Sequence, residues 1–544
     1  MRRLVAALSA AALSAALLGT LPAGAAEKNA GPKLPEQASD IARAHAEDVL
    51  AQARTALSAK SPTRARQLTQ SGGVDASMAL NQLMRVRDAL DPAGRRAADA
   101  LLARPGPTPD SFGVVYPSGT ERAICGTTIC MHWTTSGSHA PSLYDGADAD
   151  TWPDYVQSAL ATAESVNTKF VSSGYRRPRP DGTIGGTAGG RSDLVDIYLG
   201  DVGNAGVYGY CTSDENRSGA PYDRWGYCVI DNDFAATQFP TNTPKKNQQV
   251  TLAHEYFHAI QYAYDAYEDP WLMESTATWA EDELFDSVDD NLQYLRYGQL
   301  GSPKTALDTW KSGGLTQYGN WIFFRYLTEK FRARTGSMPN LVLRVWKKAD
   351  GAAGGPDQVS LEAVVNTVQK DFKAPWRTTY LNFATANRRP GKSYSEGGKY
   401  RAAAPAKSLA LAARRSTSWS APVTRHLSSY TIRVKPGRGT SGTAWKLRLN
   451  LDLGDSPTGS VAKAVAHLKS GKVSSKTARL NGRGQGNVVM PFNRNKVKYV
   501  ELTIANTSLR TTCWRDNVGP IFYTCYGTPT DDAVKQKWKA TAFR

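Results

Sequence analysis

The 544-residue chain carries 66 Lys plus Arg against 49 Asp plus Glu, a formal net charge of +17, and is 41% hydrophobic. Beyond its first two dozen residues no apolar run approaches the roughly 20 residues of a bilayer span, so no membrane-spanning segment is expected. The six cysteines contain no C-x-x-C spacing, which argues against a cysteine-based metal site.

Residues 1–26 read as an export signal. Arg2 and Arg3 precede an apolar run from Leu4 to Leu18, and the small residues of Pro22-Ala23-Gly24-Ala25-Ala26 suit cleavage after Ala25 or Ala26. The run is too short to span comfortably, so the expectation is a secreted, extracellular protein, and paired cysteines agree with that compartment. The simplest pairing joins neighbours, namely Cys125 with Cys130, Cys211 with Cys228 and Cys513 with Cys525.

Residues 27–110 have no cysteine and no tryptophan, and two helical patterns cover about 35–60 and 74–104. Pro105, Pro107 and Pro109 then form a stiff linker. The segment is either a pro-segment that covers a cleft until it is cleaved, or a helical pair retained in the mature protein. Without a cysteine it offers no thiolate to a metal, so any inhibition by it is steric.

From 111 to 390 the texture is that of a mixed α and β domain. FGVVYPSG, ICMHWTT, DLVDIYLGD, GVYGYC and GYCVIDNDF read as strands, and 151–173 reads as a helix. The glycine-rich stretch 182–190 lacks the Gly-Lys-Ser/Thr of a phosphate loop and reads as surface loop. Asp145, Asp148 and Asp150, with Asp231 and Asp233, raise Ca2+, but their spacing is not that of an EF-hand and turn-forming is the better reading. His132 and His139 have no ligand-like spacing and read as structural or surface histidines.

The chemistry concentrates at 251–285, where His254-Glu255-Tyr256-Phe257-His258 forms H-E-x-x-H. Two histidines four apart share one helix face, so both imidazoles reach one ion at the roughly 2.0–2.1 Å of a zinc–nitrogen bond. Glu255 between them suits the general base for a metal-activated water. Catalytic Zn2+ usually takes three protein ligands, and Glu274 in WLMEST is the expected third. Pro270 suits the first turn of a second helix that presents it. Glu281, seven residues on along the same face, is the rival ligand.

HEYFHAIQ followed by WLMESTATWAED resembles the zincin metallopeptidases of the gluzincin branch. It is similar to secreted bacterial metalloprotease-like proteins and to hyicolysin-type neutral zinc peptidases with a W-L-x-E segment. The resemblance covers about 190–330. It implies His254, His258 and Glu274 as zinc ligands, Glu255 as catalytic base, and a sheet edge that binds extended substrate. Thermolysin-like members have an acidic residue four after the ligand glutamate; here Thr278 stands there, and Asp265 is a candidate partner for a zinc histidine on spacing alone. Tyr318, at the start of an apolar-striped helix from Leu315, resembles the tyrosine that several gluzincins aim at the transition-state oxyanion; the alternative is a core-packing tyrosine.

The chain is expected to stay helical to about 388, with a linker at 391–420. Alternating segments from 421 to 544 then suggest a small β-sandwich. Residues 401–544 hold 25 Lys plus Arg and 6 Asp plus Glu, so the positive charge is concentrated there. That charge suits an anionic cell-wall or extracellular polymer; nucleic acid is a poor match for an exported chain with few clustered aromatics. The expected fold class is α+β. The expected function is a secreted, monomeric zinc metalloendopeptidase acting on protein or peptide substrates, with an amidase as a variant. The alternative is a non-catalytic binding protein on a degenerate peptidase scaffold.

Overall fold

A computed structural model describes residues 36–57, 76–141, 152–185, 192–217, 219–513 and 521–544. The expected export signal, Asp145, Asp148, Asp150 and most of the glycine-rich stretch lie outside them. The fold is α+β, with a mixed sheet, a helical region and a later β-rich region. No helix among the described residues is long and apolar enough to cross a membrane.

The N-terminal part forms α1 (Glu36–Leu57), α2 (Ala76–Val86) and α3 (Pro92–Leu101). One helix was expected over 74–104, but it breaks at Pro92, which has no N–H to continue the ladder. Asp91 caps the restart, its carboxylate accepting the Gly94 N–H at 2.6 Å. Ala76, Ser77, Met78, Leu80 and Leu83 of α2 are all buried.

The first sheet has the order β1-β2-β3-β5-β4. Its strands are β1 (Glu121–Cys125), β2 (Ile129–Thr134), β3 (Val195–Gly200), β4 (Gly209–Thr212) and β5 (Tyr227–Asp231). β2, β3 and β5 run parallel, whereas β1 and β4 are antiparallel edges. Helix α4 (Asp154–Ser172) connects β2 to β3. Residues 112–119, expected as a strand, are loop. Asp110 Oδ1 draws the Phe112 and Val114 amides to itself at 2.8 Å each, which removes them from any ladder. Asp231, raised above as a calcium candidate, is a turn-former that accepts the Gly203, Asp233 and Phe234 amides.

Against this sheet lies α5 (Pro244–Asp265), and α6 (Pro270–Phe285) packs on α5. Thr243 caps α5, and Pro244 occupies its first turn. The helix expected from Leu315 is split into a turn, Thr316–Gly319, and α7 (Trp321–Lys330). Asn320 at the split accepts the Gln299 N–H at 2.9 Å and donates to the Leu307 carbonyl at 2.7 Å. Helices α8 (Leu341–Lys348), α9 (Ser360–Asn366) and α10 (Trp376–Ala386) complete the region.

The β-rich part holds two larger sheets, with two-stranded pairings beside them. β10-β9-β13-β7-β6 comprises Val473–Thr477, Ser460–Leu468, Val497–Asn506, Ser428–Pro436 and Lys407–Leu411. β11-β12-β8-β14 comprises Arg479–Leu480, Gln485–Pro491, Lys446–Asp452 and Lys537–Phe543. Ile432, Val500, Leu502 and Ile504 from the first share a core with Leu447, Leu449, Met490 and Trp538 from the second. Within the stretch expected as linker, Lys407–Leu411 is a strand, because it pairs in parallel with β7 and buries Leu411. The cysteines pair as neighbours, Cys125–Cys130, Cys211–Cys228 and Cys513–Cys525.

Candidate metal centre

Helix α5 places His254 and His258 on one face, with ring centroids 4.8 Å apart. The chain turns at Glu268-Asp269, and α6 returns beside α5 with Glu274 in its second turn. Glu274 Oε2 lies 3.1 Å from His254 Nε2, and Glu274 Oε1 lies 3.3 Å from His258 Nε2. One ligand atom from each of the three buried residues lies within 4.8 Å of the others.

The test for a cation here is what these atoms do with their lone pairs. Among the described residues, His258 Nε2 and Glu274 Oε1 are buried without a hydrogen bond that meets ordinary geometry. The two lie 3.3 Å from one another without a well-directed bond, and a cation between them would satisfy both. Two imidazoles and a carboxylate are the donor set that suits zinc. The residues therefore fit a bound divalent cation.

The electrostatics point the same way. Burial alone would raise the Glu274 carboxyl, but the His258 and His254 rings hold it at about 2. Burial would lower both imidazoles, yet the carboxylates prevail: Glu274 and Glu281 raise His254 well above its ordinary value, and Glu274 raises His258. The pocket thus favours positive charge.

Neither ring is left free to rotate. Glu281 Oε1 meets His254 Nδ1 at 2.7 Å, and Gln261 Oε1 meets His258 Nδ1 at 2.7 Å. Gln261 also donates to the Met273 carbonyl at 3.0 Å and to Thr276 Oγ1 at 3.1 Å, which ties α5 to α6. Glu281, weighed above as the rival ligand, and Gln261 hold the outer nitrogens in place of Asp265, whose Oδ1 accepts the Tyr267 amide at the end of α5. Such partners fix the ring orientation and make the inward nitrogen a better donor. Gln261 stands three residues after His258, and that spacing is the signal the sequence offered.

Glu255 is buried beside the triad, and burial pushes its carboxyl up against the pull of both histidines. Its Oε2 accepts a hydrogen bond from the Ser77 hydroxyl at 3.0 Å. Gly209 of β4 lets strand and helix approach this closely: a Cβ there would lie 2.9 Å from the Val229 carbonyl oxygen and 3.1 Å from Glu255 Cγ. The half-buried Tyr318 stacks on His254 with centroids 5.9 Å apart, and the Tyr294 ring lies 5.3 Å from that of Tyr318. Close crossing of Gly298 and Gly319 backbones sets both tyrosines in place, since a Cβ on Gly319 would meet Gly298 N and Tyr294 O at 2.4 Å.

Two further groupings of metal-binding side chains have other tasks. Cys130, near His132 and Asp196, is in a disulfide, and His132 sits between Glu121 at 3.2 Å and Asp196 at 3.1 Å. Asp282, Asp286 and Glu396 surround the Arg325 guanidinium, which is 2.8 Å from Asp282. His139 accepts the Asp201 amide at 3.2 Å.

No family model matches the chain, and no curated protein matches it. Comparison with solved structures gives a family GH115 4-O-methyl-alpha-glucuronidase with specificity for decorated arabinogalactans, at 11% identity and a TM-score of 0.12. The match covers 68% of this chain and 53% of the other, so the chain spans about half the length of that enzyme. A TM-score that low carries no argument about fold or activity.

Proposed function

We propose that this chain is a secreted zinc metalloendopeptidase with a zincin-like catalytic region of the gluzincin kind. The observation that carries the reading is the convergence of His254, His258 and Glu274 on one buried point, with the carboxylate of Glu255 beside it. His254 Nε2, His258 Nε2 and Glu274 would hold the ion. A bound zinc supplies Lewis acidity, which polarises a scissile carbonyl and makes water a nucleophile near neutral pH.

The chain's own residues then divide the work. Glu255 accepts the proton of the attacking water and passes it to the departing amine; its burial favours a carboxyl that can hold that proton. Tyr318 is the proposed donor to the oxygen on which negative charge develops, and a hydrogen bond realised only there contributes a few kcal/mol. Glu281 and Gln261 keep the imidazoles aimed. The outward edge of strand β4 is the proposed track for an extended peptide, through main-chain pairing.

The test is metal content and casein cleavage of secreted protein beside His258→Ala. About one zinc per chain, lost in the variant together with cleavage, is expected. Absence of metal from freshly secreted wild type would overturn the reading in favour of a non-catalytic binding protein.

A separate role is proposed for the β-rich part, as a dock for an anionic cell-wall or extracellular polymer. No Asp or Glu occurs between Glu396 and Asp452, or between Asp455 and Glu501. At one end of the two sheets Lys435, Arg438, Lys469, Lys472, Arg494 and Lys496 are all exposed, and backbone bonds from Lys469 to Lys496 and from Arg494 to Thr440 hold their turns together. Binding to a polyanion that weakens steeply with salt is the expected result; no binding at low salt would exclude it.

A further inference from the structure

The Cys211 amide of β4 points away from its partner strand, because it donates to Ser77 Oγ at 2.9 Å. The same hydroxyl donates to Glu255 Oε2 at 3.0 Å. One side chain from α2 thus satisfies two groups at once: the carboxylate proposed as base, and an outward N–H of the edge proposed to receive substrate. Met78, Leu80 and Leu83 of the same helix are buried, so α2 covers the ground that an extended peptide would need along β4.

We propose that the N-terminal helical segment is a steric inhibitor of the centre, with Ser77 as the residue seated in it. This inference rests on the peptidase reading. The segment is fastened along its length. Asn81 donates to the Ala266 carbonyl at 2.8 Å, and Arg85 stacks 4.3 Å over the Tyr526 ring while bonding a tyrosine hydroxyl, that of Tyr526. Tyr227 donates to the Leu102 and Ala103 carbonyls at 2.9 and 3.0 Å. Arg104 pairs with Asp181, Asp196 and Asp214 at 2.5–2.8 Å.

The place where the segment can be parted is equally defined. Pro107, Thr108 and Pro109 are exposed between buried Pro105 and buried Asp110. Asp110 belongs to the sheet side of that divide, since its Oδ2 accepts the Tyr210 hydroxyl at 2.6 Å. A cut at 107–109 therefore leaves every contact of Asp110 with β4 in place while freeing α1 to α3 to leave. Ser77 holds the site without touching the atoms proposed to bind metal, so the covered chain remains able to take up zinc.

The experiment uses the full chain with Pro107-Thr108-Pro109 replaced by the recognition sequence of a site-specific protease. Zinc content, turnover of a short fluorogenic peptide and affinity for a small hydroxamate are measured before and after cutting. The same readings are taken on Asn81→Ala/Arg85→Ala, which loosens α2 without altering the centre. Equal zinc throughout is expected, with turnover and hydroxamate affinity rising roughly tenfold or more on cutting, and further in the loosened chain once cut. If uncut wild type holds zinc and turns over peptide and binds hydroxamate as well as the cut, loosened chain, the inhibitor role is wrong and the peptidase reading stands. If no form takes up zinc, the peptidase reading fails and this inference falls with it.

Discussion

Glu281 Oε1 stands 2.7 Å from His254 Nδ1, seven residues along α6 from Glu274, which faces the opposite nitrogen of the same ring. Two carboxylates of one helix thus hold one imidazole at both ends. Burial has raised Glu281 to about 7 even against the pull of that ring, so part of its hold is lost when it takes a proton. Glu281→Gln keeps the shape and removes the charge. Zinc affinity, measured by competition with a chelator, is expected to fall about 10- to 100-fold.

Glu255→Gln separates binding from chemistry. The variant retains zinc, because Glu255 donates no ligand atom to the triad, while peptide turnover is expected to drop by about a hundred- to ten-thousand-fold. Tyr318→Phe should lower kcat with little change in zinc content. An equal fall in zinc and turnover for either variant would mean a structural rather than a chemical role.

Gly209→Ala tests how closely β4 and α5 must approach. The added methyl would meet Thr251 Cγ2 at 3.0 Å and Glu255 Cγ at 3.1 Å on α5, and the Val229 carbonyl of the neighbouring strand β5 at 2.9 Å, where backbone cannot step aside as a flexible side chain can. A loss of about 1–3 kcal/mol in unfolding free energy is expected from overpacking of this kind. Urea denaturation reads it.

A pH effect is expected outside the centre. His426 is buried between Asp308 at 2.6 Å and Asp532 at 3.0 Å, with the Tyr523 ring beside it. Burial would lower its imidazole, but the two carboxylates raise it to about 9. An unfolded histidine titrates near about 6.5, so the folded chain holds the proton more tightly. The stabilisation is therefore complete below about pH 6.5 and is lost as pH rises through about 9. Asp308 is shifted below its ordinary value, since the His426 charge outweighs its burial, so its own contribution is lost only as pH falls through that lowered value. The urea midpoint should decline from pH 6.5 to 9 in wild type and change less in Asp308→Asn.

Much of the centre was legible because its information is local. The i, i+4 spacing of His254 and His258 lies within one helix, and Pro270 marked the start of the helix that carries Glu274. The partners of the outer ring nitrogens were harder to read. Glu281 reaches His254 only because α6 crosses α5 at a particular angle, and no spacing encodes that angle. Ser77 was beyond reach of sequence reasoning, since 178 residues separate it from Glu255 and nothing in its surroundings marks it as more than a helix-start serine. In the fold, β3 was plain because apolar Val195, Ile197 and Leu199 recur at every second position, although the strand is buried along its whole length. β1 was missed because Glu121 and Arg122 are exposed, and Lys407–Leu411 was read as linker because its strand character comes from pairing with β7 rather than from its composition.

The turn between α5 and α6 has a further consequence. Glu268 accepts the Ser360 amide at 3.0 Å, and Asp269 Oδ2 accepts the Cys525 amide at 2.8 Å and bonds the Ser360 hydroxyl. The angle between the two helices that carry the donor atoms is thereby clamped from a point more than 250 residues downstream. The basic region is a brace as well as an appendage, and a chain shortened before Ile521 would leave the buried Asp269 carboxylate without that amide. Any attempt to transplant the H-E-x-x-H region alone onto another protein would have to supply a replacement strut at this corner.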